Sequence, residues 1–277
     1  MLLRENELFE FSASAEYRRE DLGNFLGKVQ LTFFVSCYNE EVFISSTLAT
    51  IREAVAKSGV QAEVVIIDDG SKDKSSQFIR DFMRQNPDMR IIFRQNKVNR
   101  GLAQNYIDGA FIGSGDYYRL ICGDNSHPTE SLVSTMALMG KADMILPYYT
   151  ESRGKPWIRR KLSAAFTRLV NWITGYKIKY YNGLGIHRRF NVMRWHPNTH
   201  GFGFQADIIC MLLDQGNTYV EVPILDIHSN DNSQALTIWN VFSVGHTIID
   251  LFIRKVTRSL HARYKIKPQQ NDEGRGA

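Results

Sequence analysis

Short apolar runs alternate with helix-patterned segments over the first half of the chain, and this alternation restricts the fold to one class. Four runs are rich in branched and aromatic residues, as buried strands are, and three intervening segments place apolar residues at helical spacing. Strands and helices that alternate through short loops form a mostly parallel sheet flanked by helices, so we predict an α/β fold. The strands are predicted at residues 31–36, 62–67, 89–94 and 117–122, and the helices at 43–57, 75–85 and 102–112.

Acidic and small polar residues follow three of the four predicted strands, in the loops 36–41, 68–73 and 123–126. The carboxyl ends of parallel strands meet at one edge of a sheet, and open α/β sheets bind ligands at that edge. The first loop reads SCYNEE and lacks the G-x-G-x-x-G of dinucleotide-binding domains, and the chain has no P-loop sequence. The pattern therefore indicates a ligand site, but argues against a nicotinamide-dependent oxidoreductase or a P-loop NTPase.

Asp124 stands on a predicted tight bend, directly after the apolar run that ends at Cys122. Gly123 lets a bulky ligand approach the backbone at this bend. Mg²⁺ is commonly held by one or two carboxylates, while the phosphates of a ligand complete its shell. The alternative is that Asp124 caps the following helix, which Pro128 leads. Because two further polar loops share this edge of the sheet, we favour Asp124 as a ligand of Mg²⁺ or Mn²⁺.

Positive charge is concentrated in the second half of the chain. Residues 152–206 contain eleven Lys or Arg and no Asp or Glu, whereas the whole chain has a net charge of +5, so the remainder is net acidic. This asymmetry indicates either an anionic partner, such as a phosphate, a nucleic acid or a membrane surface, or a solvated basic face. A nucleic-acid-binding module is thus an alternative function. It leaves the acidic sheet edge unexplained, because carboxylates there would repel a phosphate backbone.

Two segments of the second half are amphipathic. Residues 156–176 combine Trp157 with several basic residues, which suits either the plane of an anionic bilayer or a surface helix packed on the sheet. Residues 236–256 are rich in apolar side chains, but too polar and too short to span a bilayer. This segment could lie in the membrane interface, pair with a second subunit or pack on the core. We therefore expect peripheral contact with a membrane and leave a homo-oligomer open.

Several motifs occur in a fixed order along the chain: VSCYNEE at 35–41, VVIIDDGSKD at 64–73, NRG at 99–101 and GDN at 123–125, followed by RGKPWIRRKLS at 153–163, GFGFQAD at 201–207 and EVPI at 221–224. The first four motifs resemble those of the inverting glycosyltransferases of family 2, which have the GT-A fold. The later three are similar to those of the dolichyl- and polyprenyl-phosphate sugar synthases of that family. The chain departs from the synthases at Cys122, where their Asp-x-Asp has its first acid, and at 182–189, where they carry a Ser-Gly-Phe-Arg type of run.

The resemblance implies a role for each set of residues. Asp124 would hold the metal ion and take part in catalysis. Asp207 is chosen from its position, as the first acid after the basic stretch: it would be the general base if the acceptor is a sugar hydroxyl, or would orient the sugar or the metal if the acceptor is a lipid phosphate, which is already anionic. The residues expected to bind the nucleotide sugar are Ser36, Tyr38, Glu40, Asp69, Arg100 and Gly101, and the arginines that could grip the acceptor phosphate are Arg153, Arg159, Arg160, Arg188 and Arg189.

The sequence thus predicts a metal-dependent inverting glycosyltransferase that moves a sugar from a UDP- or GDP-sugar to a polyprenyl-phosphate-type lipid, with a saccharide hydroxyl as the alternative acceptor. The three cysteines have no metal or redox spacing, which fits a reducing, cytoplasmic setting. With a lipid acceptor, we expect the protein to be peripheral at the inner face of the membrane. We predict an N-terminal arm or short helix over 1–28, a GT-A catalytic domain over 29–232, an amphipathic helical region over 233–267 and a polar tail over 268–277.

Overall fold

The computed structural model describes residues 9–13, 28–153, 157–196, 203–227 and 238–263. The described strands are β1 (Phe9–Ala13), β2 (Leu31–Cys37), β3 (Ala62–Asp68), β4 (Ile91–Asn96), β5 (Tyr117–Cys122), β6 (Met144–Arg153), β7 (Ile186–Arg188) and β8 (Tyr219–Ile227). The described helices are α1 (Ile44–Ser58), α2 (Ser75–Gln85), α3 (Leu102–Ile112), α4 (Thr129–Met136), α5 (Trp157–Thr174), α6 (Arg189–Met193), α7 (Phe204–Asp214) and α8 (Ile238–Arg263).

The eight strands form one sheet in the order β1-β4-β3-β2-β5-β7-β6-β8. Strands β4, β3, β2 and β5 are parallel, and β6 and β8 run in the same direction, while β1 and β7 are antiparallel to their neighbours. The six strands of one direction therefore end at the same edge of the sheet, which we call the carboxyl edge.

Helices cover both faces of the sheet, which is why the central strands are buried along nearly their whole length. On one face Phe33 and Val35 pack with apolar residues of α1, α2 and α4. On the other face Phe34 and Tyr118 pack with α3, α5, α6, α7 and α8. Successive residues of β2 thus serve two different cores, as the alternation of side chains along a strand requires.

The predicted mostly parallel α/β fold is confirmed, and the four strands and three helices expected in the first half are all present within two residues of their predicted ends. The expectation of a loose arm or a short helix over 1–28 was wrong for Phe9–Ala13, which forms β1 and pairs antiparallel with β4 at the sheet edge. The two amphipathic segments are helices, α5 and α8, and α8 continues to Arg263. Among the described helices, none combines the length and the apolar character that a membrane crossing requires.

Candidate active site

The three polar loops predicted to converge do so at the carboxyl edge. Cys37 at the end of β2 pairs with Asp68 at the end of β3, and Ser36 pairs with Cys122 at the end of β5. Backbone hydrogen bonds continue this alignment beyond the strands. The Gly123 N–H donates to the Ser36 carbonyl at 2.9 Å, and the Asp69 N–H donates to the Cys37 carbonyl at 2.8 Å.

The loops after β2 and β3 are fastened to each other by side-chain hydrogen bonds. The Asn39 N–H donates to Ser71 Oγ at 2.9 Å, and the Lys72 N–H donates back to Asn39 Oδ1 at 2.8 Å. The Glu40 N–H donates to Ser75 Oγ at 2.8 Å. Asn39 has a φ of 57°, a left-handed conformation that asparagine tolerates better than most residues. Tyr38, on the same loop, is 47% exposed. These bonds fix the backbone on which Tyr38 and Glu40 are carried.

Asp124 does not cap the helix that follows it. Helix α4 begins at Thr129, and no side chain makes a capping hydrogen bond at its N-cap residue, Pro128. The Asp124 carboxylate instead accepts a hydrogen bond from the Ser126 N–H at 3.1 Å. The bend between them passes through Asn125, whose φ is 52°. The cap interpretation is therefore wrong.

The backbone around Asp124 is held against α1. Thr47 Oγ1 donates to the Gly123 carbonyl at 2.8 Å, and Thr50 Oγ1 lies 3.0 Å from Asn125 Oδ1. A Cβ at residue 123 would lie 3.1 Å from Glu40 Cγ, so the glycine makes room for the Glu40 side chain. Thr47 and Thr50 could not be identified from the sequence, because nothing in a helix pattern marks a hydroxyl that bonds to a distant loop.

Glu40 and Asp124 place two carboxylates close together. Burial, followed by the charges of Asp124 and then Asp73, raises the pKa of Glu40 to about 7. A cation between the two carboxylates would relieve this repulsion, because an opposite charge favours the ionised form. Over the described residues no group of three or more His, Cys, Asp or Glu side chains is arranged to hold a metal. The protein would thus supply one or two carboxylates, and a bound ligand the rest.

Cys122 does not add a metal ligand at the first position of the motif. Burial, together with the charges of Asp124 and Glu40, raises the pKa of its thiol. A thiol must lose its proton to bind a metal, so this environment disfavours coordination. Cys122 is a free cysteine, like Cys37 and Cys210.

Asp69 holds a loop by accepting three hydrogen bonds. Its carboxylate accepts from Asn96 Nδ2 at 2.7 Å, from the Arg100 N–H at 2.8 Å and from the Gly101 N–H at 2.9 Å. Asp69 is 5% exposed, so most of the carboxylate faces the protein. Beside it lies a polar pocket of about 240 Å³ at the ends of β3 and β4, lined by Gly70, Ser71, Lys72, Gln95, Asn96 and Lys97.

The start of the basic stretch lies at the carboxyl edge. Met144 of β6 is level with Tyr118 of β5, because both flank His187 of β7. Strand β6 then continues to Arg153, so its last residues extend beyond the end of β5 at Cys122. Helix α5 begins shortly after, and Arg160 in its first turn is exposed. The side chains of Arg153 and Arg159 lie outside the described residues.

Arg188 and Arg189 are at the opposite edge, so their assignment to an acceptor phosphate beside Asp124 was wrong. Arg188 pairs with Tyr117, the first residue of β5, and its guanidinium lies 4.3 Å from the centroid of the Tyr117 ring. Arg189 Nε donates to the Gly115 carbonyl at 2.6 Å. At about 3.3 Å per residue, the length of β5 puts about 17 Å between these arginines and Cys122.

Asp207, in the first turn of α7, is 3% exposed and has partners for both carboxylate oxygens. Trp195 Nε1 donates to Oδ2 at 2.8 Å, and Arg254 of α8 forms an ion pair with Oδ1. Both carboxylate oxygens are thus engaged by protein side chains of other segments. The arrangement does not favour the role of general base.

The chain belongs to glycosyl transferase family 2: residues 32–200 match the sequence model of that family. Together with the mostly parallel sheet and the three loops at its carboxyl edge, this match defines the class of protein.

Individual relatives share about a quarter of their aligned residues with this chain. An undecaprenyl-phosphate 4-deoxy-4-formamido-L-arabinose transferase of Edwardsiella ictaluri is 25% identical over 147 residues, which are 53% of this chain and 45% of that protein. An undecaprenyl-phosphate mannosyltransferase of Micrococcus luteus is 25% identical over 201 residues, or 69% of this chain and 80% of that protein. The chain thus spans less than half of the first relative and most of the second.

Solved structures of glycosyltransferases share the fold. A glucosyl-3-phosphoglycerate synthase of Mycobacterium tuberculosis, solved with UDP, superposes with a TM-score of 0.63 at 15% identity and covers 86% of this chain and 85% of that one. A mannosyltransferase of Pyrobaculum calidifontis, solved with GDP-Man and Mn²⁺, gives a TM-score of 0.62 at 15% identity, covering 87% of this chain and 71% of the other. At these identities the similarity establishes the fold.

Proposed function

We propose that the protein transfers a sugar from a UDP- or GDP-sugar to a polyprenyl-phosphate-type lipid, with inversion at the sugar carbon. The observation that carries this proposal is the meeting of the loops that carry Glu40 and Asp124, at a carboxyl edge beyond which the basic end of β6 and the start of α5 extend. An acidic pair suits a metal–diphosphate donor, and a basic rim suits an anionic acceptor. The names of the two undecaprenyl-phosphate transferases support the same reaction.

Mg²⁺ or Mn²⁺ fits the donor set at this edge. Asp124 would bind the ion, and Glu40 is near enough for its pKa to respond to the Asp124 charge. Bound there, the ion would supply electrostatic stabilisation of the departing nucleoside diphosphate. The proposed nucleotide pocket is the one beside Asp69, between Gly70 and Lys97, with Tyr38 at the same edge. Asp69 contributes by shaping the loop that carries Arg100 and Gly101.

The burial and the contacts of Asp207 favour a lipid phosphate over a saccharide hydroxyl as the acceptor. A hydroxyl needs a general base, whereas a phosphate oxygen is already anionic and can attack the sugar carbon as the bond to the nucleoside diphosphate breaks. Asp207 is buried and forms an ion pair with Arg254, so we assign its carboxylate to joining α7 to α8 rather than to removing a proton. Arg153, Arg159 and Arg160 are the candidates for the acceptor phosphate.

Nucleotide binding can be tested by thermal unfolding. We expect UDP- or GDP-sugars with Mn²⁺ to stabilise the protein by about 2.7 kcal/mol at a ligand concentration 100 times the dissociation constant, because only the folded state binds. The same titration with Mn²⁺ and the sugar alone is the control. Turnover is then measured as nucleoside diphosphate released with polyprenyl phosphate, and with a saccharide acceptor for comparison. Binding of RNA or DNA without stabilisation by any nucleotide sugar would instead support the nucleic-acid alternative.

Helices α5 and α8 each expose apolar side chains that would suit a membrane, and we propose that the enzyme binds the inner face of the membrane through them. On α5 one side buries Phe166, Val170 and Ile173, while another exposes apolar side chains next to Lys161 and Arg168. Helix α8 is joined to it, since Lys255 Nζ donates to the Thr174 carbonyl at 3.0 Å. The exposed apolar residues are Trp157, Ile158, Leu162, Leu169 and Trp172 on α5, and Ile249, Phe252, Ile253 and Val256 on α8.

Replacing Trp157 and Trp172 with serine is expected to weaken binding to phosphatidylglycerol vesicles by about tenfold or more, because indole rings anchor interfacial helices. The two rings are 59% and 78% exposed, so the fold should tolerate the change. Co-sedimentation measures the affinity. The matched control is Phe111→Ser on α3, which is 60% exposed but belongs to neither helix. Equal losses in both variants, or none in the first, would contradict the proposed surface.

A further inference from the structure

A closed ring of polar contacts lies beneath the loop that follows β4. Asp69 accepts from the Arg100 N–H, and Arg100 reaches Asp108 on α3 through its guanidinium. Asp108 also pairs with Arg94 on β4, which donates to Asn105 at 3.0 Å. Asn96 Nδ2 completes the ring by donating to Asn105 Oδ1 at 2.9 Å and to Asp69 Oδ1 at 2.7 Å.

Asp108 is the one carboxylate of this ring that serves two guanidinium groups. Its Oδ2 accepts from Arg94 Nη2 at 2.7 Å and from Arg100 Nη1 at 2.7 Å, and its Oδ1 accepts from Gln104 Nε2 at 2.7 Å. The ring as a whole contains two arginines, Arg94 and Arg100, and two aspartates, Asp69 and Asp108, so it is formally neutral. The side chain of Arg94 is 4% exposed and that of Asp108 17%, whereas that of Arg100 is 28% exposed. Of the two arginines, Arg100 is the one whose side chain is accessible to solvent.

The same loop forms one wall of the proposed nucleotide pocket. Asn96 and Lys97 line the pocket opposite Gly70 and Ser71. A Cβ at Gly70 would lie 3.4 Å from the Asn96 carbonyl oxygen, so the two chain segments approach closely. Gly101, which ends the loop, has a φ of 83°. The backbone and the Arg100 guanidinium are thus held at two independent points, by Asp69 and by Asp108.

We propose that Asp108 is a positioning residue for the sugar-nucleotide donor: it holds the side chain of Arg100, which belongs to the loop that forms one wall of the pocket, before the donor binds. An arginine that is already held loses less rotational freedom when it contacts an anionic ligand, so affinity rises without a new contact. Because Asp108 acts through Arg100, its effect should vanish when Arg100 is absent. This inference rests on the proposed nucleotide binding.

A double-mutant cycle tests it, with UDP and GDP affinity measured in the presence of Mn²⁺. Arg100→Met and Asp108→Asn should each raise the dissociation constant about tenfold, and the double variant should be no worse than Arg100→Met alone. In steady-state assays we expect Asp108→Asn to raise KM for the donor more than it lowers kcat, because the contact aids ground-state binding. Asp108→Glu should recover part of the affinity, since it restores the charge.

Asp108→Asn also leaves the buried Arg94 without its counter-charge, so folding is measured separately by urea unfolding. A second double variant, Arg94→Met with Asp108→Asn, removes the buried cation together with its counter-charge and is expected to fold. It should show the same tenfold loss. Additive losses in the cycle, or unchanged affinity in a folded Asp108 variant while Arg100→Met binds weakly, would overturn the inference. Absence of nucleotide binding by the wild-type protein would instead refute the proposed function.

Discussion

Replacing Asp124 with asparagine is expected to lower kcat/KM for sugar transfer on the order of 10²- to 10³-fold, because charge stabilisation of a leaving group is commonly worth that much. Asparagine keeps the size of the side chain and an oxygen that can still accept the Ser126 N–H, so the bend should survive. What is lost is the negative charge beside Glu40. The measurement is release of nucleoside diphosphate from the donor, with polyprenyl phosphate as acceptor and Mn²⁺ or Mg²⁺ varied.

Asp116→Asn provides the matched control, because it removes an acid at the start of β5 rather than at its end. Asp116 forms an exposed ion pair with Lys28 at 2.9 Å, and such pairs contribute little to stability. We expect its activity and metal dependence to equal those of the wild type. Full metal-dependent activity in the Asp124 variant, or an equal loss in both variants, would refute the assignment of Asp124.

The central part of the fold could be predicted because its signals are local. Each of β2, β3 and β5 is an apolar run bounded by polar turns, and their order implies that the loops after them share an edge. Strand β1 could not be predicted in this way. Its residues, FEFSA, become a strand by pairing with β4, and the stability of an edge strand depends on a partner that lies far away in the sequence.

The placement of the candidate site residues could be predicted where sheet topology determines it, but not where strand direction or distant partners determine it. Glu40 and Asp124 converge because parallel strands bring them together. Arg188 and Arg189 follow a strand of three residues, β7, whose antiparallel direction no local pattern indicates, so they were assigned to the wrong edge. Likewise, the ion pair of Asp207 with Arg254 joins two helices of different segments, and no spacing rule could reveal it.

His187 should make the folded protein lose stability between pH 6.5 and about 4. It lies on β7 between Tyr118 and Met144, is fully buried, and within the described part of the chain neither ring nitrogen has a hydrogen-bond partner. Burial lowers the pKa of His187 from 6.5 to about 4. In this range the unfolded chain binds a proton that the folded protein does not, so the free energy of unfolding falls as the pH falls. At 1.36 kcal/mol per pKa unit, the loss is about 3 kcal/mol.

His187→Leu is expected to remove that loss, because leucine fills a similar volume and binds no proton. Free energies of unfolding would be measured by urea denaturation at pH 7, 6, 5 and 4 for the wild type, the leucine variant and His246→Leu, whose histidine on α8 is 55% exposed. Other groups also titrate over this interval, but apart from the replaced histidine they are common to the three proteins, so the comparison isolates the effect of His187. Between pH 7 and pH 4 the free energy of unfolding should fall by about 3 kcal/mol less in His187→Leu than in the other two proteins. If the free energy of unfolding fell equally with pH in all three proteins, the buried imidazole would bind a proton in the folded protein as readily as in the unfolded chain, which would contradict the prediction.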